Sequence, residues 1–255
     1  MDTFEALACS GQRKEILNIL SISPKSIKEI SELTGISPPL VSRHLKKLGE
    51  LGLVEKDNTR YILTDKGYFV HLALEKFRRI VRVLDKDPEF WEIHDFSGIP
   101  DEFKLRIDEI GDYEILRSDK DEVLKHYRVF SSIYTESEIV RLASAVFFPS
   151  HPKMFAEIAA KADVEVIIPL KALNTLKSEY KEELKQYLAN GGKIYRNDDV
   201  RLTVIVTERA LCMGFFLRDG KYDTESGLLS FDDTAIRWGF DLYNYFKKSA
   251  LPVEY

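Results

Sequence analysis

The most constraining feature of this sequence is a series of helix-start and helix-stop signals near its N-terminus. Ser26 and Glu29 stand three residues apart, a capping box in which both side chains satisfy free backbone N–H groups at a helix start. Gly35 ends this helix, because glycine tolerates the left-handed backbone that follows many helices. The next helix begins at Ser37, with Pro38 in the first turn, where no N–H is needed.

A hairpin is predicted directly after these helices. Two short runs, 53–56 and 60–64, flank the polar turn 57–59. Before the capping box, apolar residues at helical spacing around 16–20 predict a further helix that stops ahead of Pro24. The predicted order is therefore three short helices followed by a hairpin.

Residues 37–67 resemble the recognition helix and wing of archaeal and bacterial winged helix-turn-helix transcription regulators, including the ArsR-like group. They read SPPLVSRHLKKLGELGLVEKDNTRYILTDKG. The resemblance covers about the first quarter of the chain and implies a DNA-binding domain over 1–66. A recognition helix enters the major groove and reads base edges with its N-terminal half.

The predicted DNA-contacting residues follow from this arrangement. Residues on the exposed N-terminal half of the third helix are expected at base edges, those one turn later at phosphates, and a cation beside the hairpin tip at the minor groove or backbone. They are Ser37, Pro39, Ser42, Arg43, Lys46, Lys47 and Arg60. The alternative is a solvated, lysine-bearing helical face. His44 borders the buried stripe, which favours a packing role.

Charge limits the kind of nucleic-acid binding to a local surface. The chain carries a net charge of −5, which argues against binding over the whole surface. Residues 37–66 nevertheless hold six Lys or Arg against four acids, a local excess of +2. No apolar run approaches the ~18 residues of a membrane span. Two cysteines cannot form a disulfide framework, so a reducing cytoplasm is expected.

A long helical pattern follows the hairpin. Ala73, Phe77, Ile80 and Leu84 recur at spacings of four, three and four, as in a coiled-coil seam. It is either a dimerisation helix or a helix that packs within the chain. A homodimer is expected in either case, because one winged helix usually reads too few bases to be selective. The predicted domains are 1–66 (DNA binding), 67–85 (linker or dimerisation helix) and 86–255 (effector or sensor).

The remaining residues alternate between helix and strand patterns. This alternation predicts a mixed α/β sheet covered by helices, so the fold class is α+β or α/β. The pattern predicts helices over 101–110 and 119–133, a further helix from Thr135, a strand at 145–148 and one long helix over 170–189.

Three segments of this region resemble a family of archaeal winged-helix regulators of the methanogenesis-regulator type. They are SHP at 150–152, RDGKYD at 218–223 and AIRWGFDLY at 235–243. The resemblance implies a sensor domain. The family is similar in layout to sugar-responsive archaeal regulators whose effector domain resembles half of a phospholipase D fold, an analogy that implies no activity.

Aromatic residues concentrate in the C-terminal half, which is typical of a core and also of small-molecule clefts. Tyr222, Asp223 and Trp238 are the predicted effector-binding residues. A turn-capping role is the alternative for Asp223. No nucleotide-binding loop occurs, so no cofactor is predicted. No metal site is predicted either, since the third helix lacks the paired cysteines of metal-sensing ArsR-like proteins.

A catalytic reading of the C-terminal domain has little support. His151 and Lys153 have the spacing of a phospholipase D motif, but that chemistry usually needs an Asp where this chain has Ile158. We therefore expect no enzyme activity. The sequence favours a dimeric, sequence-specific DNA-binding transcription regulator controlled by a small-molecule effector. The alternative is a protein-interaction adaptor that uses its winged helix without binding DNA.

Overall fold

The structure is a computed structural model that describes residues 2–118, 121–122 and 125–253. It divides into two compact units, Met1–Val81 and Arg82–Tyr255. Each unit has its own apolar core, and the two are described separately below.

The N-terminal unit contains four helices, a two-stranded hairpin and most of a long fifth helix among its described residues. These elements are α1 (Thr3–Ala8), α2 (Gly11–Ile22), α3 (Ile27–Thr34), α4 (Pro38–Glu50), β1 (Val54–Asp57), β2 (Arg60–Leu63) and α5 (Asp65–Lys86). The order confirms the predicted three helices and hairpin, with the short α1 in front of them. It is the order of a winged helix-turn-helix domain.

Local signals account for the ends of these helices. The Ser26–Glu29 capping box is present, with Ser26 Oγ accepting from Glu29 N–H and a Glu29 carboxylate oxygen accepting from Ser26 N–H. Gly35 has φ +70°, the left-handed value expected after a helix. Pro38 is the first residue of α4. The sequence therefore defines the turn between α3 and α4 without help from distant residues.

Helix α5 runs across the boundary between the two units. Its Val70 and Leu74 pack against the N-terminal core. Near its other end, the carbonyl of Val83 accepts a 2.6 Å hydrogen bond from Tyr113 Oη in the C-terminal unit. Each part of the helix is thus held by the unit to which it belongs.

The C-terminal unit is built around a mixed sheet. Its helices are α6 (Pro88–Ile93), α7 (Asp101–Lys104), a 3-10 helix (Ile107–Ile110), α8 (Lys125–Thr135), α9 (His151–Ile158), α10 (Leu170–Glu179), α11 (Lys181–Ala189) and α12 (Asp233–Lys248). Its strands are β3 (His94–Asp95), β4 (Glu114–Arg117), β5 (Ile139–Ser144), β6 (Asp163–Ile168), β7 (Lys193–Arg196), β8 (Thr203–Thr207), β9 (Leu211–Gly214), β10 (Phe216–Leu217), β11 (Ser226–Ser230) and β12 (Leu251–Pro252).

Eight of these strands form one sheet in the order β12-β7-β6-β5-β8-β9-β11-β4. The pairs β5–β6 and β6–β7 are parallel, and the other pairs are antiparallel. Helix α12 packs on β5 and β8, whereas α9 and α11 pack on each other. Nearly every residue of β5 and β6 is buried or half-buried, as expected for strands covered on both faces. The predicted mixed α/β fold is confirmed.

Several predicted elements of this unit are wrong. Thr135 ends α8, and the strand β5 begins four residues later at Ile139, because pairing with β6 and β8 outweighs the local capping signal. Residues 145–148 are irregular. The helix predicted over 170–189 is two helices that meet at Tyr180, and the helix over 101–110 is a short helix and a 3-10 turn.

The helix predicted over 119–133 begins on residues that lie partly outside the described ones, since 119–120 and 123–124 are not included. Over the parts of the chain that are described, each helix is too short or too polar to cross a bilayer.

Candidate nucleic-acid interface

Helix α4 is anchored by one apolar face. Val41, Leu45 and Leu48 are buried in the core of the N-terminal unit. Residues at these positions lie on one side of a helix, since they recur every three or four residues. Their burial fixes which side chains of α4 point to solvent.

The outward face of α4 carries the predicted contact residues. Five of them are exposed, and a sixth is half-buried. The exposed residues are Ser37, Pro39, Ser42, Arg43 and Lys46, and the half-buried residue is Lys47. Ser37 occupies the N-cap position, where its hydroxyl makes no capping hydrogen bond. The structure therefore brings these six residues onto one solvent-facing surface.

The cations of this surface differ in their intramolecular partners. Lys47 Nζ lies 3.3 Å from Glu50 Oε2. By contrast, Arg43 and Lys46 form no hydrogen bond or ion pair with any residue that the structure describes. A cation without a partner can bind an anion at no cost in broken contacts. Arg43 and Lys46 are therefore better placed than Lys47 to bind phosphates or base edges.

The wing holds the seventh predicted residue. Strands β1 and β2 pair in antiparallel register, from Val54 opposite Leu63 to Asp57 opposite Arg60. The turn between them passes through Asn58, whose φ of +54° is tolerated by asparagine. Arg60 is exposed at the tip, as predicted, although its Nη2 lies 3.3 Å from Glu29 Oε1 on α3.

The wing has a third extended segment that the sequence analysis missed. Lys25 N–H donates to the carbonyl of Tyr61 at 3.1 Å, and Tyr61 N–H donates to the carbonyl of Lys25 at 2.7 Å. The sequence does not predict this pairing, because the preceding residue is Pro24 and proline usually interrupts a strand. Lys56, on β1, is a further exposed cation that is not among the predicted contact residues. The run of charged residues directly after Val54 was the signal in the sequence that Lys56 is exposed.

His44 has the packing role that its position favoured. It is buried on α4, and its Nε2 lies 2.9 Å from Gln12 Oε1. Burial, together with the nearby charges of Arg13 and Arg43, lowers the pKa of His44. The neutral ring donates its Nε2 hydrogen to the amide oxygen, which ties α4 to α2.

The three predicted effector residues have different surroundings. Tyr222 lines a cavity of about 20 Å³ in the C-terminal unit, and neither Asp223 nor Trp238 is among the described residues that line it. Trp238 has no exposed surface, and its indole N–H donates to the carbonyl of Phe103 at 3.3 Å. It is a core residue, so the structure does not support its assignment to an effector site.

The carboxylate of Asp223 is already engaged in hydrogen bonds within the protein. One carboxylate oxygen accepts hydrogen bonds from the backbone N–H groups of Glu225 and Ser226. The other accepts from His94 Nε2 at 3.0 Å and from the Ser226 hydroxyl. Four donors leave little capacity for a ligand. The geometry is that of a turn-capping aspartate with an additional ion pair.

The His151–Lys153 pair does not form a catalytic site. His151 is buried, whereas Lys153, two residues further along α9, is exposed. Side chains two apart on a helix point in nearly opposite directions. Ile158 is buried in the core, where the phospholipase D pattern needs a carboxylate. As for metals, no group of three or more His, Cys, Asp or Glu is placed to hold an ion within the described portion of the chain.

Comparison with known proteins finds one family match in each unit of the chain. Residues 10–56 match the family model described as "Bacterial regulatory protein, arsR family", and residues 124–249 match "Methanogenesis regulatory protein FilR1, middle domain". A curated relative, the methanogenesis regulatory protein FilR1 of Methanothrix harundinacea (strain 6Ac), is 23% identical over 257 residues. That alignment covers 98% of this chain and 58% of the relative, so the chain spans little more than half the relative's length.

Two solved structures are similar at low identity. TrmBL2, described as an archaeal chromatin protein with a novel mode of DNA binding, matches with a TM-score of 0.46 and 11% identity over 96% of this chain and 95% of that chain. Nuc, a phospholipase D family member from Salmonella typhimurium, matches with a TM-score of 0.43 and 11% identity over 56% of this chain and 99% of that chain. Both scores are too low to support an inference about function. The two family models agree with the resemblances given above: residues 10–56 match the helix-turn-helix model of the arsR family, and residues 124–249 match the FilR1 middle-domain model.

Proposed function

We propose that this protein is a transcription regulator that binds double-stranded DNA through α4 and the wing. The observation that carries the proposal is the outward face of α4, where Arg43 and Lys46 are exposed and unpaired among the described residues. A helix with its apolar side anchored and cations on its exposed N-terminal half fits a major groove. Membership of the N-terminal domain in the arsR family supports the same function.

Fluorescence anisotropy with the duplex upstream of the protein's own coding sequence tests this proposal. The triple variant Arg43→Ala, Lys46→Ala, Arg60→Ala should lose at least about 100-fold in affinity, since each phosphate or base contact contributes on the order of 1 kcal/mol. The slope of log affinity against log salt should fall by up to about 2.7, or about 0.9 for each lost phosphate contact.

A charge-matched control separates a local contact surface from an effect of total charge. Lys171, Lys181 and Lys248 are exposed cations of the C-terminal unit. Their triple replacement by alanine changes the net charge by the same amount and should leave DNA affinity nearly unchanged. Equal losses in both triple variants, or full affinity in the first, would show that α4 and the wing are not the interface. Absence of duplex binding at low salt would favour a protein-interaction adaptor.

We further propose that the protein acts as a homodimer through α5. Phe69 and Phe77 are 71% and 66% exposed, which is unusual for phenylalanine. Together with Ala73, Ile80 and Leu84 they lie on one side of the helix. An exposed apolar stripe of this spacing suits a second copy of the same helix, and a two-fold dimer reads two half-sites about 34 Å apart.

Sedimentation equilibrium tests the dimer. Phe69→Glu with Phe77→Glu should weaken the dimer by at least about 100-fold, because two charges would enter an apolar contact. Arg82→Glu, on another side of α5, is the matched control and should leave the association constant within about threefold. A chain that is monomeric at all concentrations, or a dimer that survives the double variant, would contradict this arrangement.

A further inference from the structure

The C-terminal unit contains a small apolar cavity that plays no part in the function proposed so far. Its volume is about 50 Å³, and it lies between the parallel strands β5–β7 and the helices α9–α11. Apolar residues that line it include Leu142, Phe155, Val166, Leu176, Leu184 and Ile194. Crevices at the end of parallel strands, covered by helices, are common ligand sites in α/β proteins.

Polar groups on the cavity wall are mostly engaged with the protein. Ser144 Oγ donates to the carbonyl of Val146 at 2.9 Å and also lies 2.9 Å from Thr203 Oγ1. Tyr187 Oη lies 2.9 Å from the carbonyl of Val164 and is also in hydrogen-bond range of a second carbonyl. These hydroxyls offer little to a molecule in the cavity.

His151 is the exception. His151 lines this cavity and also the 20 Å³ cavity beside Tyr222, it is 7% exposed, and its Nε2 has no hydrogen-bond partner among the residues that the structure describes. Burial lowers the pKa of His151 to about 4, so the ring is neutral at pH 7. A buried polar atom without a partner costs free energy that a bound molecule can recover.

Water is a poor occupant of this cavity. An ordered buried water needs two to four polar partners, and besides the half-buried Glu183 the wall provides one side-chain polar atom that is free of other bonds. A mostly apolar wall disfavours water and favours an apolar molecule instead. The rings of Phe148 and Phe155 lie 4.8 and 5.0 Å from the His151 ring, which extends the apolar surface around the imidazole.

A half-buried carboxylate restricts the charge of the occupant. Glu183 lines the cavity, and among the described residues no hydrogen bond or ion pair neutralises it. A carboxylate at the cavity wall repels anions, and partial exposure to solvent screens this repulsion without removing it. The occupant is therefore uncharged or cationic.

We propose that this cavity is the effector site, and that it binds a small, uncharged, ring-sized molecule whose single polar group hydrogen-bonds to His151 Nε2. The proposal deepens the function proposed above and depends on it for its regulatory meaning. Asp223 is saturated by hydrogen bonds from the protein, and Trp238 is buried in the core. The cavity, by contrast, has free space and a polar atom without a hydrogen-bond partner in the described part of the chain.

Ligand-observed ¹⁹F NMR on the full chain without DNA tests the binding. The probes are 4-fluorophenol, 4-fluorotoluene and 4-fluorobenzoate, which share a ring and differ in the polar group. We expect 4-fluorophenol to bind about fivefold or more tightly than 4-fluorotoluene, the value of one hydrogen bond. The benzoate should bind most weakly.

Two variants assign the binding to His151. His151→Phe should bring the two neutral probes to equal affinity, whereas His151→Gln, which keeps a hydrogen-bonding group, should preserve part of the preference for the phenol. No saturable binding of any probe, or an unchanged preference in His151→Phe, would overturn the proposal. Because the measurement contains no DNA, its outcome is independent of whether the winged helix binds a duplex.

Discussion

His94 and Asp223 are 129 residues apart in the chain, yet His94 Nε2 lies 3.0 Å from Asp223 Oδ2 in the interior of the C-terminal unit. The other ring nitrogen, Nδ1, lies 2.8 Å from the carbonyl of Phe90. The His94 ring therefore lies between two oxygens that only accept hydrogen bonds, a carbonyl on one side and a carboxylate on the other. Although burial raises it, hydrogen bonds from His94 and Ser226 hold the pKa of Asp223 at about 2.

Removing one partner of this pair should be costly. Asp223→Ala leaves a buried donor without an acceptor, and we expect it to lower the free energy of unfolding by about 3–5 kcal/mol. Asp223→Asn should recover part of the loss, because its amide can donate to Nε2 of a neutral ring. Urea unfolding followed by tryptophan fluorescence measures this, since both tryptophans, Trp91 and Trp238, belong to the C-terminal unit.

A second aspartate provides the control for this prediction. Asp219 is exposed, and it caps its own turn by accepting from Lys221 N–H at 2.9 Å. Asp219→Ala removes a turn cap without a buried charge, so its cost should stay below about 1 kcal/mol. Equal costs for the two alanine variants would mean that the ion pair with His94 contributes nothing beyond the turn.

The ion pair between Arg60 and Glu29 predicts an unusual gain of DNA affinity. Glu29 Oε1 lies 3.3 Å from Arg60 Nη2, while Oε2 accepts from Ser26 N–H at 2.7 Å. Glu29→Gln keeps the capping box, since glutamine serves at this position, and frees the guanidinium. Duplex affinity at 0.1 M salt should rise about two- to fivefold, the range of an exposed ion pair.

The matched variant for this comparison is Glu32→Gln. Glu32 is an exposed acid on the same helix, with Lys28 Nζ 3.9 Å away. Glu32→Gln changes the net charge by the same amount as Glu29→Gln but leaves Arg60 paired with Glu29. An equal gain in both variants, read by fluorescence anisotropy, would show a general charge effect and would exclude a specific release of Arg60.

The N-terminal unit was predictable because its signals are local. The capping box at Ser26, the left-handed Gly35 and the proline at the start of α4 each act within four residues, and the structure agrees with all three. The Glu29–Arg60 contact was not predictable, since nothing in the sequence shows that the wing tip returns to α3.

In the C-terminal unit, pairing between strands decides which segments form the sheet where the local sequence preference is weak. Strand β11 (Ser226–Ser230) was missed because its short sequence, SGLLS, has little strand preference of its own. It is a strand because β9 and β4 pair with its two edges. Residues 145–148 show the opposite case. Their apolar sequence predicts a strand, but they are not one of the strands of the sheet. The cavity at His151 likewise depends on several elements at once.

A glycine at the start of α5 should be irreplaceable for steric reasons. A Cβ at Gly67 would lie 1.9 Å from the carbonyl oxygen of Leu53, which is backbone and cannot move aside easily. Gly67→Ala should therefore destabilise the N-terminal unit by about 1–3 kcal/mol. Gly11→Ala is the control, because a Cβ there meets nothing within 4 Å. Hydrogen exchange of peptides from α4 and β1 reports the difference, and equal protection in both variants would refute the clash.

Burial of His151 should make the C-terminal unit sensitive to mild acid. The folded-state pKa is about 4, whereas an unfolded histidine titrates near 6.5. Below pH 6.5 the unfolded chain therefore binds a proton that the folded chain excludes. Stability is fully present above that pH and is lost as the pH falls towards 4. From these values, His151 alone should remove on the order of 1–2 kcal/mol between pH 6.5 and 5.

Urea unfolding of the wild type and His151→Phe, followed by tryptophan fluorescence at both pH values, isolates this contribution. His126 is also buried with a lowered pKa, so it destabilises both proteins in the same direction and cancels in the difference. The variant should lose on the order of 1–2 kcal/mol less than the wild type over this range. Identical pH profiles would mean that His151 is already accessible to protons in the folded protein, and the cavity beside it would then be open to water.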